Sequence, residues 1–265
     1  RYYRVPEKFE DLVYLGLVLQ GHGMRQGMEA HRRNRPYCMG SMIWQLNDSW
    51  PVVSWSAIDY YGNWKALHYQ SRRAFAPVLV DAIREGDKLR YYVLSDVLQT
   101  KDIVLQMELM DFKGKILRRH RIEGKLPINS SVLFYEEDWN QAFAACDTTT
   151  SFIHMTLKDA NSRQVLSDEV YYPVFPKSQH LPQAKISYKM KKKDGAYELT
   201  LKSDQLARDV FIEVPIQGVR FSDNFFDLLP GVSRKIRVTS GDGSPLENLT
   251  VSIHQLSDIC SMDHE

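Results

Sequence analysis

The stretch Tyr37-Cys-Met-Gly-Ser-Met-Ile-Trp-Gln-Leu-Asn-Asp-Ser-Trp-Pro-Val-Val-Ser-Trp-Ser-Ala-Ile-Asp-Tyr60 decides how the chain is read. Residues 38–46 are largely apolar, and alternation groups Met42 with Trp44 and Leu46, and Ser41 with Ile43 and Gln45. The spacing predicts a short buried strand. A strand apolar on both sides suits a parallel sheet covered by helices, as in a (β/α) barrel. The segment ends in Asn47 and Asp48, and a loop carrying Trp50, Pro51 and Trp55 follows. Barrels of this kind build their sites from loops at the C-terminal ends of their strands. Aromatic faces beside hydrogen-bonding tips are what a sugar cleft needs: the ring covers the C–H face of a pyranose, and amide and carboxylate hold hydroxyls.

Both flanks read as helix. Over residues 8–33, Phe9, Leu12, Leu15 and Leu19 recur at spacings of three and four, and His31-Arg32-Arg33 supplies cations suited to a helix C-terminus. Asn34-Arg35-Pro36 stops this helix. Glycines at 16, 21, 23 and 27 imply close packing or a break near Gly21. His22 and Glu29 read as solvated or core-edge positions. After Gly62-Asn63 a second helix places Trp64, Leu67, Ser71 and Ala74 on one face, and Pro77 closes it.

Beyond Pro77 the period changes from near four to two. Residues 78–84, 89–94, 103–110, 116–122, 132–135, 151–157 and 164–172 read as strands, with turns at Gly86-Asp87 and Lys113-Gly114. Short strands at this spacing argue for a β-sandwich. Pro173, Pro176 and Pro182 mark a linker-like junction, and a second all-β segment runs over 184–256 with an Asp194-Gly195 hairpin. Lys191-Lys192-Lys193 beside that hairpin reads as a solvated guard on an edge strand.

The phrase Trp44-Gln-Leu-Asn-Asp-Ser-Trp-Pro51, then Ser54-Trp-Ser-Ala-Ile-Asp-Tyr-Tyr-Gly-Asn-Trp-Lys65 and a helix bearing arginine, resembles the last strand and last helix of the catalytic barrel of β-mannosidases in glycoside hydrolase family 2. Phe221-Ser-Asp-Asn-Phe-Phe-Asp-Leu-Leu-Pro-Gly231 resembles a phrase in the terminal immunoglobulin-like domain of the same family, where the aromatics read as core. The resemblance implies a mixed fold. Residues 1–77 would be the last part of a (β/α)8 barrel (about helix 7, strand 8 and helix 8). Two immunoglobulin-like all-β sandwich domains would follow, over 78–180 and 181–265. The opening Arg1-Tyr2-Tyr3-Arg4 reads as the interior of a longer protein.

The implied activity is retaining hydrolysis of terminal β-D-mannose residues from mannosides, which needs an acid and a nucleophilic carboxylate about 5–5.5 Å apart. In the family both are glutamates at the ends of earlier strands, the nucleophile in a Ser-Glu-Phe-Gly-like phrase. Neither that phrase nor an Asn-Glu pair occurs here, and Asp48 and Asp59 match neither glutamate. No catalytic residue is therefore assigned, and the piece alone is expected to be inactive. What the resemblance leaves to this chain is part of the wall around the bound sugar. Trp44 would be the stacking platform, Asn47 and Asp48 would hold hydroxyls or orient neighbours, and Trp50 and Trp55 would line outer subsites. The competing readings are a barrel-core Trp44, a turn-bracing Asn47 and Asp48, and loop packing for Trp50 and Trp55. Implied partners are a β-mannoside oligosaccharide and the preceding part of the same protein. A bacterial source would imply the periplasm or secretion, a eukaryotic one the lysosome. Alternatives are a non-catalytic carbohydrate-binding or scaffold sandwich protein, or a family 2 β-galactosidase or exo-glucosaminidase.

Composition agrees with an ordinary globular protein: 265 residues, 43% hydrophobic and 25% charged. The net charge of +1 gives no reason to expect nucleic acid or an anionic membrane as partner, and no apolar run approaches membrane-spanning length. Cys38, Cys146 and Cys260 show no metal-ligand spacing and read as buried free thiols, and neither cofactor nor metal is expected.

Overall fold

The computed structural model describes residues 2–3, 5–144 and 146–260. They fall into two compact units, one made of Arg25–Met42 and Arg72–Gln179, the other of residues up to Met24, Ile43–Ser71 and those from His180 onward.

The first unit holds seven strands: β1 (Val78–Glu85), β2 (Lys88–Ser95), β3 (Asp102–Asp111), β4 (Ile116–Lys125), β5 (Ser130–Asp138), β6 (Ser151–Asp159) and β7 (Val165–Tyr171). They form two antiparallel sheets, ordered β1-β2-β5 and β4-β3-β6-β7. Period-two alternation sends Val80, Leu89, Tyr91 and Val93 of one sheet, and Leu105, Met107, Ile153 and Leu157 of the other, into a shared core. Gly86 and Gly114 turn the hairpins with φ of +62° and +90°, a region that only glycine enters without steric cost. A single helical turn, Trp139–Ala142, escapes the sequence pattern; Asp138 caps it by accepting from the Asn140 and Gln141 amides.

The second unit holds β8 (Ile186–Lys193), β9 (Ala196–Ser203), β10 (Ala207–Glu213), β11 (Val219–Phe221), β12 (Phe226–Leu228), β13 (Arg234–Ser240) and β14 (Ser252–His254). The sheets are β11-β13-β9-β8 and β12-β10-β14, closed over Leu199, Leu201, Val210, Ile212, Ile236 and Val238. Phe225, Phe226 and Leu228 are all buried, as core residues should be.

Helix α1 runs over Phe9–Arg33 and α2 over Ala66–Ala74. In the second unit both pack on the sandwich: Tyr14, Leu15 and Val18 of α1 meet Ala66 and Tyr69 of α2 over Phe225 and Leu256. The buried row differs from the one the sequence suggested. Leu15 is buried, but Phe9, Leu12 and Leu19 are exposed, because the face turned to Phe225 is the one carrying Tyr14 and Val18. Nor is the helix broken at Gly21. A Cβ there would lie 3.1 Å from Gln70 Cγ and 3.3 Å from Ala66 Cβ, so the glycine admits α2 at close range. His22 and Glu29 both have side-chain partners: His22 Nε2 lies within hydrogen-bond distance of Asp209 Oδ1 at 2.6 Å, and Glu29 forms an ion pair with Arg25.

Residues 38–46 do not form the expected buried strand. Met42 is fully exposed and Trp44 is 75% exposed, and the segment has no strand partner among the described residues. A strand exists through its lateral hydrogen bonds, and an apolar sequence does not supply them. Cys38 and Cys146 are half-buried free thiols; the Cys260 side chain lies outside what is described.

In the first unit Arg25 Nε and Nη2 reach Glu29 and Glu169 at 2.6 and 2.5 Å, and Arg33 pairs with Asp81 on β1. Burial, reinforced by the Glu29 charge, pushes Asp81 up to about 7 against the pull of Arg33 and Arg25. A carboxyl raised above its unfolded value stabilises fully below about pH 4 and loses that contribution as pH climbs through 7. Urea midpoints at pH 5 and pH 8 should therefore show the chain weaker at pH 8 by up to about 2 kcal/mol, with Asp81→Asn flattening the difference. Equal slopes in the two proteins would remove Asp81 as the cause.

Candidate functional site

The tryptophan loop follows residues 38–46 and is fixed by backbone bonds before any side chain acts. Ala57 N and Ile58 N donate to Leu46 O at 3.1 and 2.9 Å, Asp48 N donates to Ile58 O at 3.1 Å, and Lys65 N donates to Ala57 O at 3.0 Å. Asn47 bridges Ile58 in parallel and Ile58 bridges Trp64 antiparallel, so three short segments meet at Ile58.

Inside that crossing sits Asp48, with its side chain 2% exposed. Ser54 Oγ donates to Oδ1 at 2.5 Å, Ser56 Oγ donates to Oδ2 at 2.6 Å, and Lys65 Nζ reaches Oδ2 at 3.1 Å. Lys65 Nζ also donates to Ser56 Oγ at 2.7 Å and to Ser54 O at 3.3 Å. Burial alone would raise the Asp48 carboxyl. The hydrogen bonds from Ser54, Ser56 and Lys65, with the Lys65 charge, outweigh it and hold the group down to about 2. Both Asp48 oxygens are thus committed within the protein.

The side chains around it point outward. Trp44, Trp50 and Trp55 are 75%, 66% and 59% exposed, and Asn47 is exposed with its Nδ2 donating to Asp48 O at 3.2 Å. The Trp44–Gln45 peptide bond is cis. Gln20 Nε2 on α1 donates to Trp55 O at 2.6 Å and ties the far side of the loop to the helix. Asp59 caps the next turn by accepting from Asn63 N and Nδ2 at 2.8 and 2.9 Å. Arg220 donates to Gly62 O and lies over the Trp64 ring at 5.1 Å.

The structure therefore separates residues that the sequence placed side by side. Trp44, Asn47, Trp50 and Trp55 are exposed, while Asp48 is buried and accepts hydrogen bonds that brace the loop. Ser54, Ser56 and Lys65 were not singled out from sequence. The signal was the Ser-x-Ser spacing, which sends both hydroxyls to one side. No group of three or more potential metal-ligating side chains occurs among the described residues.

The two sandwiches place the chain among immunoglobulin-like β-sandwich proteins. Residues 87–178 match the family model described as the Mannosidase Ig/CBM-like domain, and residues 181–259 match the model described as an Ig-fold domain. The chain is 27% identical over 231 residues to a β-mannosidase of Capra hircus, covering 83% of this chain and 26% of that one. It is 26% identical over 279 residues to β-mannosidase A of Aspergillus terreus, covering 94% and 30%. The crystal structure of a β-D-mannosidase from Dictyoglomus thermophilum superposes with a TM-score of 0.82 at 26% identity, covering 96% of this chain and 31% of that one. An exo-chitosanase of Amycolatopsis orientalis shares the fold at a TM-score of 0.73 and 18% identity, covering 94% and 34%.

By these matches the chain resembles a C-terminal part of a β-mannosidase of glycoside hydrolase family 2. It spans about a quarter to a third of the length of these relatives.

Lys65→Met keeps the aliphatic stem but leaves Asp48 a buried, half-satisfied charge. That substitution should cost about 2–3 kcal/mol in urea unfolding and open the loop to chymotrypsin at Trp50 or Trp55. Because the Asp48 carboxyl is depressed, its contribution holds above about pH 4 and fades as pH falls toward 2. Wild-type cleavage by pepsin, an acid protease, taken relative to its rate on a free peptide of the same loop, should rise over that window. Unchanged cleavage in Lys65→Met would show that the backbone bonds suffice.

Proposed function

We propose that the chain works as the C-terminal part of a retaining exo-β-mannosidase that removes terminal β-D-mannose residues from mannosides. In this reading residues 1–77 form the end of a (β/α)8 barrel, about helix 7, strand 8 and helix 8. Residues 38–46 become a strand when neighbouring strands supply their hydrogen bonds. The two sandwich domains, 78–180 and 181–265, are accessory. Both catalytic glutamates come from elsewhere in the protein, and this chain contributes sugar-binding wall.

One observation carries the reading: three tryptophans stand exposed on a loop that a buried carboxylate holds in place. Exposing large aromatic rings is costly unless something covers them. A pyranose in the site and the rest of a barrel around it would do so. Trp44 serves as the stacking platform, Asn47 offers its amide to a hydroxyl, and Trp50 and Trp55 line outer subsites. Asp48 acts as a positioning residue through the loop. The β-mannosidase relatives, which match over most of this chain, support mannose as the sugar.

The test is turnover of a chromogenic β-mannoside by the 265-residue chain and by a longer protein that includes it. The short chain should be inactive and the longer one active. In the longer protein Trp44→Ala should lower kcat/KM by about tenfold or more, the worth of one aromatic platform. Turnover by the short chain would overturn the proposal, as would preference of the longer protein for a β-glucosaminide or β-galactoside.

A further inference from the structure

The chain carries a net charge of only +1, yet its cations are not evenly spread. In the four-stranded sheet of the second sandwich, Leu199, Leu201, Ile236 and Val238 face the core, so alternate residues of the same strands face outward. The register sets Lys191 beside Glu198 and Glu198 beside Arg237, and in the next row Lys189 beside Thr200 and Thr200 beside Lys235. Ser187 and Lys202 form a third row. Lys189, Lys191, Lys202, Lys235 and Arg237 are all exposed. Glu198 is the acid among them, and it reaches one neighbour, Lys235, at 3.9 Å.

Five cations against one carboxylate thus occupy a face roughly 13 Å along the strands and 10 Å across them, from the spacings of a pleated sheet. Like charges held this close repel, and no packing requirement places them on an outward face. Guarding the edge against aggregation would need charge on β8 alone, not on β9 and β13 behind it.

We infer that this face binds an acidic polysaccharide, a carboxylated or sulfated glycan chain lying across β8, β9 and β13. The inference stands apart from the proposed hydrolysis. Cations in rows meet the repeating anions of an extended polymer, and the hydroxyls of Ser187 and Thr200 fill outward positions between them. The outward positions of β8, β9 and β13 carry no aromatic residue on which a nucleobase could stack and no large apolar side chain to enter a bilayer or anchor a protein interface; the exposed Tyr188 and Met190 of β8 occupy the alternate positions, in register with the buried Leu201 and Leu199. Those absences favour a glycan over the other anionic partners.

The test is titration of the 265-residue chain at low salt with a size-defined heparin oligosaccharide, a sulfated probe, and with oligogalacturonate, a carboxylated one. A variant combining Lys189→Gln, Lys191→Gln, Lys235→Gln and Arg237→Gln is compared with a charge-matched control. The control combines Lys113→Gln, Lys115→Gln, Arg121→Gln and Lys125→Gln, all exposed positions of the other sandwich. Wild type should bind at least one of the two glycans. The face variant should weaken that binding at least about tenfold, with the control close to wild type. Binding of neither glycan, equal loss in both variants, or tighter binding of duplex DNA or phosphatidylserine vesicles than of either glycan would overturn the proposal.

Discussion

A carboxylate that is almost wholly withdrawn from water must find its full complement of donors inside the protein, and Asp48 finds three. Ser54, Ser56 and Lys65 come from three points along the following 17 residues, so satisfying one charge folds the intervening chain back on itself. The tryptophan loop then needs no regular secondary structure of its own. Its shape is set by one ion pair, two hydroxyls and the backbone bonds that meet at Ile58. The helices extend the constraint: Lys65 immediately precedes α2, and α2 is anchored by Ala66 and Tyr69 against α1 and the second sandwich.

This arrangement divides labour between neighbours in sequence. Asp48 is inward and spent on its partners, while Asn47 and Trp50 are outward and uncommitted to the core. A loop built this way presents aromatic rings at low entropic cost, because the backbone beneath them is already ordered.

Much of the fold was legible in the sequence because strand and hairpin signals are local. The Gly86 and Gly114 turns and the alternation of Leu105, Met107 and Leu109 led to the right strands within a few residues. Strand β11 and strand β12 are three residues long, too short for a period to show. Residues 38–46 were misread for a different reason. Their apolar pattern describes what they can pair with, whereas strand structure requires the partner itself. The helix row was misread because two i, i+3, i+4 rows are apolar on α1, and only the position of Phe225 decides which one is buried. At the site, the unusual rings stand out in the sequence and the serines and lysine that hold the loop do not, since a Ser-x-Ser spacing places two hydroxyls together without naming Asp48 as their common target.

Amide hydrogen exchange across residues 46–65 tests the central claim most directly. If the Asp48 cluster orders the loop, the amides of Asp48, Ala57, Ile58 and Lys65 should exchange far more slowly than unstructured peptide, and Lys65→Met should release them together. Exchange of these four amides at free-peptide rates in the wild-type chain would contradict the account, because the tryptophans would then be carried on a segment with no fixed shape.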